Sequence, residues 1–315
     1  MSDDAADGEA RRNAALAATQ ARYPAVSERF ARAHGFRLPR HTAVFAAFWQ
    51  SLDARERAGM DLLGLQPWGV IDYYLPGGLD RVGRDGLDER LHCRFRRDPP
   101  EFVTVLSGDS DGLHYGLWYD DPAELPTFVV HNYARDSAET WTSGMVTVLG
   151  EVWTRFDRRV RDDVDIPEDR PALYALGAAL DRFADADGQA VAEDGPRRWS
   201  GVDRPRTIGS PGPALPPGSG DPGTEDERAA AYRTNPERMR ELVAGARAEL
   251  AAGRPAAAIV VGAELHWMNG DDLARDALDL LTGAYRTLGR GALADIVEVH
   301  HRHRDLRSVE VLVRA

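Results

Sequence analysis

The residues best suited to chemistry fall into a few short patterns, and most fail on spacing. Gly108-Asp109-Ser110-Asp111-Gly112 spells the string of a nucleophile elbow. In that motif a strained turn between a strand and a helix exposes the serine oxygen. Here apolar runs at 102–106 and 113–119 flank the string on both sides, which predicts a hairpin turn instead. The same two aspartates could bind calcium, but no glutamate closes the loop. His300, His301 and His303 cluster at the end of a predicted helix near Glu298. Zinc needs four ligands in a closed shell, and a histidine at a helix C-terminus is stabilised by the dipole without metal. Asp120-Asp121 precede Pro122 and predict a capped turn, and Asp271-Asp272 predict a helix start. Neither a GxGxxG fingerprint nor a P-loop lysine occurs, and Cys93, the lone cysteine, reads as a buried small hydrophobe. The sequence thus nominates no catalytic, cofactor or metal residue. One polar–aromatic stretch, Glu264, His266, Trp267 and Asn269, follows an apolar segment and suits a ligand or a partner.

Composition narrows the partners. The chain has 315 residues, 43% apolar and 29% charged, with a formal net charge of −12. That is enough chain for two packed units. A nucleic-acid binder needs a basic face, and no dense basic block appears, so direct DNA or RNA binding is not expected. No apolar stretch reaches the length of a membrane span, and the acidic N-terminus lacks the apolar centre of a signal peptide. The expectation is a cytoplasmic protein.

Periodicity sets out the elements. Residues 1–12 read as disordered, 14–34 as a helix, and Thr42 as the cap of a second helix over 44–52. Strands are predicted at 69–75, 91–97, 102–106, 113–119 and 127–133, the second because apolar and polar residues alternate. A helix over 143–159 would lie across them. The prediction is an α+β unit at 13–160 in which an antiparallel sheet carries packed helices, followed by a helix-rich C-terminal unit at 161–315 with a few short strands. In that second unit a helix spans 172–184, and a flexible Gly/Pro-rich segment occupies about 195–223. Asn235 caps a helix opened by Pro236. An apolar segment read as a buried strand covers 256–261, helices follow at 271–288 and 292–303, and a final strand lies at 308–313.

Three stretches, in order, resemble the histone PARylation factor family. The first holds Leu38-Pro39, Phe48-Trp49, Leu63-Gly64-Leu65-Gln66 and Gly69. The second is 97–126, with Asp98-Pro99-Pro100-Glu101-Phe102, Gly108-Asp109, His114, Gly116, Asp121-Pro122 and Glu124-Leu125-Pro126. The third holds Gly262, Leu265, Gly270, Leu280-Leu281, Ala284-Tyr285 and Glu298. The chain resembles a bacterial-type member, and its N-terminal unit also resembles the SUKH immunity fold.

The resemblance implies a protein with no active site of its own. The family's animal member docks on a poly(ADP-ribose) polymerase and lends it a glutamate as base toward the acceptor serine. An arginine after a tyrosine helps to hold the polymerase, and Tyr232-Arg233 match that pair. The family's Asp–Glu pair precedes the glycine matched by Gly262. The corresponding residues here, Ala251-Ala252-Gly253-Arg254, hold no carboxylate, and Glu249 is the nearest one. The expected function is a non-enzymatic accessory or regulatory factor for an ADP-ribosylating enzyme, without the lent glutamate and without a cofactor. The alternative is a SUKH-like immunity or scaffold protein that binds a toxin or another protein. The expected partner-binding residues are Tyr232, Arg233, Glu264, His266 and Asn269.

Overall fold

A computed structural model describes residues 3–162, 168–234 and 236–315. Three helices come first: α1 (Asp3–His34), α2 (His41–Ser51) and α3 (Ala54–Leu62). The segment expected to be disordered is, from residue 3, the opening of α1. Arg11 explains why. It pairs with Asp7 one turn away at 2.6 Å, donates to the Ser51 carbonyl at 2.9 Å, and reaches Asp53 and Glu56 at 3.1 Å each. Those tertiary partners support a helix that composition leaves unsupported. A reciprocal cap starts α3. The Asp53 carboxylate accepts from the Arg55 and Glu56 amides, and the Glu56 carboxylate accepts from the Asp53 amide. Thr42 is not a cap. It lies inside α2, where its hydroxyl donates to the Pro39 carbonyl at 2.7 Å.

Next come β1 (Gln66–Pro67), β2 (Arg81–Gly83), β3 (Phe102–Ser107), β4 (Leu113–Trp118), β5 (Phe128–Tyr133) and β6 (Thr140–Thr142). Five of them form one antiparallel sheet in the order β1-β3-β4-β5-β6. The β3–β4 hairpin turns at 108–112 as expected, with Gly112 at φ 70°. Two faces of the sheet pack differently. Val103, Leu117 and Val129 join the main core beneath the helices, while Phe102, Trp118 and Val130 form a second cluster.

Two of the strands predicted before residue 160 do not form. Residues 69–74 wind into a 3₁₀ helix. Gly69 enters it at φ 59°, with the Thr104 backbone packed where a side chain would stand, so the chain turns there. Residues 91–97 form successive turns instead of an alternating strand. Their Arg94 points inward and donates to the carbonyls of Pro99 at 2.7 Å and Phe102 at 2.5 Å. Cys93 is buried at φ 58°. Alternation misleads here because a buried arginine capping carbonyls occupies a position that pattern assigns to solvent.

The remaining helices are α4 (Val148–Asp162), α5 (Arg170–Asp194), α6 (Glu225–Thr234), α7 (Pro236–Ala251), α8 (Ala256–Met268), α9 (Ala274–Thr287) and α10 (Gly291–Arg302). The helix expected from Ser143 begins at Val148, because residues 140–142 join the sheet as β6. The expected strand at 256–261 is the first half of α8, buried nearly all round; a short apolar run does not distinguish the two by period. Asp271-Asp272 lie in the turn before α9. Among the described residues after 161, one short strand replaces the several expected: β7 (Leu312–Arg314), paired with β2. The proposed cap Asn235 lies outside the described residues.

Residues 195–223 contain no regular element, yet they are folded onto the body. Trp199 and Ala214 are buried. The Ala214 amide donates to Asp120 at 2.9 Å, and its carbonyl accepts from Arg290 at 2.8 Å. Arg204 pairs with Asp120 on the second sheet face and sits 4.9 Å from the Phe128 ring.

Candidate partner-binding site

Tyr232 and Arg233 occupy the last turn of α6, a helix that the sequence pattern did not predict. Glu264 and His266 lie on α8, and Asn269 closes it in the left-handed conformation at φ 60°. The structure joins Tyr232 to Glu264: the phenol donates to the carboxylate at 2.8 Å. Arg228, one helical turn before Tyr232, donates to both oxygens of Glu264 at 3.0 and 2.9 Å. The same guanidinium donates to the carbonyls of Pro222, Gly223 and Arg206. Arg228 and Glu264 are both fully buried. Burial holds the Glu264 carboxyl above its ordinary range, and Arg228 offsets only part of that rise. This triad fastens α6 and the irregular segment to α8. The Glu264 carboxylate faces inward and is a scaffold group, whereas Arg233 projects to solvent.

His266 and Asn269 point the other way, toward the sheet. His266 Nε2 donates to the Asp98 carbonyl at 3.1 Å, because a carbonyl only accepts. Burial lowers its pKa to about 4, so the ring is neutral with its proton on Nε2. Asn269 accepts from Arg96 at 2.7 Å and from Arg304 at 3.2 Å. Between them, Trp267 donates to the Ala138 carbonyl at 3.0 Å, and Arg97 lies 5.9 Å from its ring. The adjoining hollow between α8, α9 and α10 measures about 30 Å³, room for a water or two.

Two further buried contacts stand inside the stretch 97–126. His114 sits between the Gly112 carbonyl (Nδ1, 2.8 Å) and the Asp98 carboxylate (Nε2, 3.0 Å). Both neighbours present oxygen atoms to the ring, which is thereby held between the hairpin turn and the 97–100 segment. Glu101 accepts from the Tyr285 hydroxyl at 2.6 Å, tying the β3 hairpin to α9. Burial raises the Glu101 carboxyl to about 7.

Sequence reasoning found Glu264 but missed Arg228, and it named His114 and Asp98 without pairing them. An arginine in an acidic helix and an aspartate before two prolines carry no local sign of burial. Glu249 lies on α7, which continues to Ala251. It is half-buried and held by Arg254 at 2.5 Å, a hydrogen bond that lowers its pKa and makes it a poorer base. Among the described residues no three His, Cys, Asp or Glu side chains are grouped to hold a metal ion. No described helix is long and apolar enough to cross a membrane.

The family model of histone PARylation factor 1 matches residues 25–186, just over half of the chain. This chain belongs to that family. Among curated relatives, histone PARylation factor 1 of Bos taurus is 36% identical over 110 residues, covering 34% of this chain and 32% of its own length. The Mus musculus protein is 36% identical over 101 residues, covering 31% and 29%. That of Danio rerio is 32% identical over 111 residues, covering 34% and 31%. The chain spans about a third of the length of the curated relatives it matches. The family match holds the sheet, Asp98, Glu101 and His114. Tyr232, Arg233, Glu264, His266 and Asn269 all lie beyond it.

Proposed function

We propose that this chain is a non-catalytic, protein-binding accessory factor for an ADP-ribosylating enzyme. The observation that carries the reading is the family match over 25–186. The chemistry of the C-terminal helices supports it. By the sequence resemblance, residues 251–254 stand where the family has its lent base and hold no carboxylate, and Glu249 beside them is engaged by Arg254. Glu264, the buried acid of the region, is satisfied by Arg228 and Tyr232 and is closed to any substrate. What α6 offers a partner is Arg233, an exposed guanidinium with no ion pair among the described residues. A guanidinium takes a partner carboxylate bidentately, which lysine and alanine do not reproduce. Tyr232 fixes the helix turn that presents it.

The test is a titration of the purified chain against an ADP-ribosyltransferase from the same cell. Wild type should form a saturable complex. Arg233→Ala should weaken it by about 2–5 kcal/mol if the contact is desolvated, with an unchanged melting temperature. Equal affinity for both proteins would remove Arg233 from the contact.

A further inference from the structure

A hollow of about 420 Å³ opens between the 94–96 turn, Arg135 after β5, and the segment following α10. That volume lies within the range of small-molecule sites. Its lining is strongly cationic for a chain of net charge −12. Arg94, Arg96, Arg135, Arg304 and Arg307 face it against a single glutamate, Glu310.

These arginines divide into two groups. Arg94 is spent on backbone carbonyls. Arg96 and Arg304 are tied to Asn269 and share Asp271, and Arg96 also holds Asp305. Those three stiffen the wall, and the two aspartates offset part of their charge. Arg135 and Arg307 are exposed and make no ion pair or side-chain hydrogen bond among the described residues. An aromatic wall completes the hollow. Trp68 and Phe95 meet there with ring centroids 6.0 Å apart, inclined at 55°.

We propose that this hollow binds a nucleoside diphosphate, its diphosphate on Arg135 and Arg307 and its base against Trp68. Two unpaired guanidiniums at one mouth suit the adjacent phosphates of one ligand, each taken in a fork. An indole face stacks on a flat base of any sequence. A long polyanion would meet the acidic remainder of the surface, and a bare inorganic anion would leave the aromatic wall unused. The inference rests on the hollow alone and stands or falls apart from the accessory-factor reading.

The experiment is calorimetry on the full chain at low salt with three probes: ADP, inorganic pyrophosphate and adenosine. ADP should bind saturably, pyrophosphate more weakly and adenosine undetectably. The double variant Arg135→Ala/Arg307→Ala touches exposed side chains and should fold normally. It should lose about tenfold or more in ADP affinity. Trp68→Leu should bring ADP down to the affinity of pyrophosphate while leaving pyrophosphate unchanged. No saturable ADP binding at millimolar concentration, or wild-type ADP affinity in the double variant, would overturn the proposal. Equal affinity of wild type for ADP and pyrophosphate would overturn the base contact. A short oligonucleotide that binds more tightly than ADP would overturn the small-molecule assignment.

Discussion

Glu101→Gln should make this protein more stable at neutral pH, although it removes a charged hydrogen-bond acceptor. The Glu101 carboxylate is buried between the β3 hairpin and α9, where Tyr285 donates to it at 2.6 Å. Burial raises its pKa from 4.5 to about 7, more than the Tyr285 hydrogen bond and the nearby Arg290 lower it, and Asp120 adds to the rise. In the unfolded chain the same group titrates near its ordinary value. Between those two values the folded state binds the extra proton, so stability falls as pH rises through the window. At about 1.4 kcal/mol per tenfold change, the ionised acid costs the fold about 3 kcal/mol above pH 7. Glutamine keeps an acceptor for Tyr285 and never ionises. The stability difference between variant and wild type should therefore be small near pH 4.5. It should grow in favour of the variant by about 2–3 kcal/mol by pH 7.5. Urea unfolding of both proteins at intervals across that range reads the difference directly, and titrations common to both cancel. A difference that stays constant with pH would refute the reasoning, because burial would then not set the proton affinity of Glu101.

Arg228→Ala should destabilise the protein by about 3–5 kcal/mol, because it leaves the buried Glu264 carboxylate without its cation; thermal unfolding checks it, and limited proteolysis should show faster cutting within 206–223, whose carbonyls Arg228 also binds. Acid should unfold the wild type, since burial lowers His34 to about 4, His41 to about 3 and His266 to about 4. Below pH 6.5 the unfolded chain takes up protons that these folded rings refuse, so stability present at pH 7 is lost between about pH 6.5 and 4 for His34 and His266 and down to about pH 3 for His41. His41→Gln or His41→Phe should flatten that loss in a melting-temperature profile, and an unchanged profile would show that His41 does not titrate on unfolding.

The legible parts of the fold were those in which local pattern and tertiary contact agree. Phe102 to Trp118, with glycines at the turn, could form little besides a hairpin, and the α9–α10 pair announces itself through amphipathic spacing around Gly289. Illegible parts were settled by distant partners. Arg11 recruits α3 to hold an N-terminal helix, and Arg94 turns inward to serve carbonyls from a stretch whose alternation suggests a strand. The Ala-rich start of α8 is buried nearly all round, so it has too little wet face to betray a helical period. Residues 195–223 have the composition of a linker, yet Asp120, through Arg204 and the Ala214 amide, and Arg290 bind them down. In the candidate site, Arg233 was visible only through its match to a tyrosine–arginine pair. The role of Glu264 depended on Arg228, which lies on a different helix and has no pattern linking it to α8.

The central claim, that this chain acts by binding and not by its own chemistry, is most directly tested by one reconstitution. The purified chain is incubated with NAD, alone and with an ADP-ribosyltransferase from the same cell, and both NAD consumption and protein modification are followed. The account predicts no NAD turnover by the chain alone. It also predicts a stoichiometric complex that changes which proteins, or which residues, the transferase modifies, with the change weakened in Arg233→Ala. Turnover of NAD by the chain alone, or a transferase whose products are indifferent to it, would contradict the account.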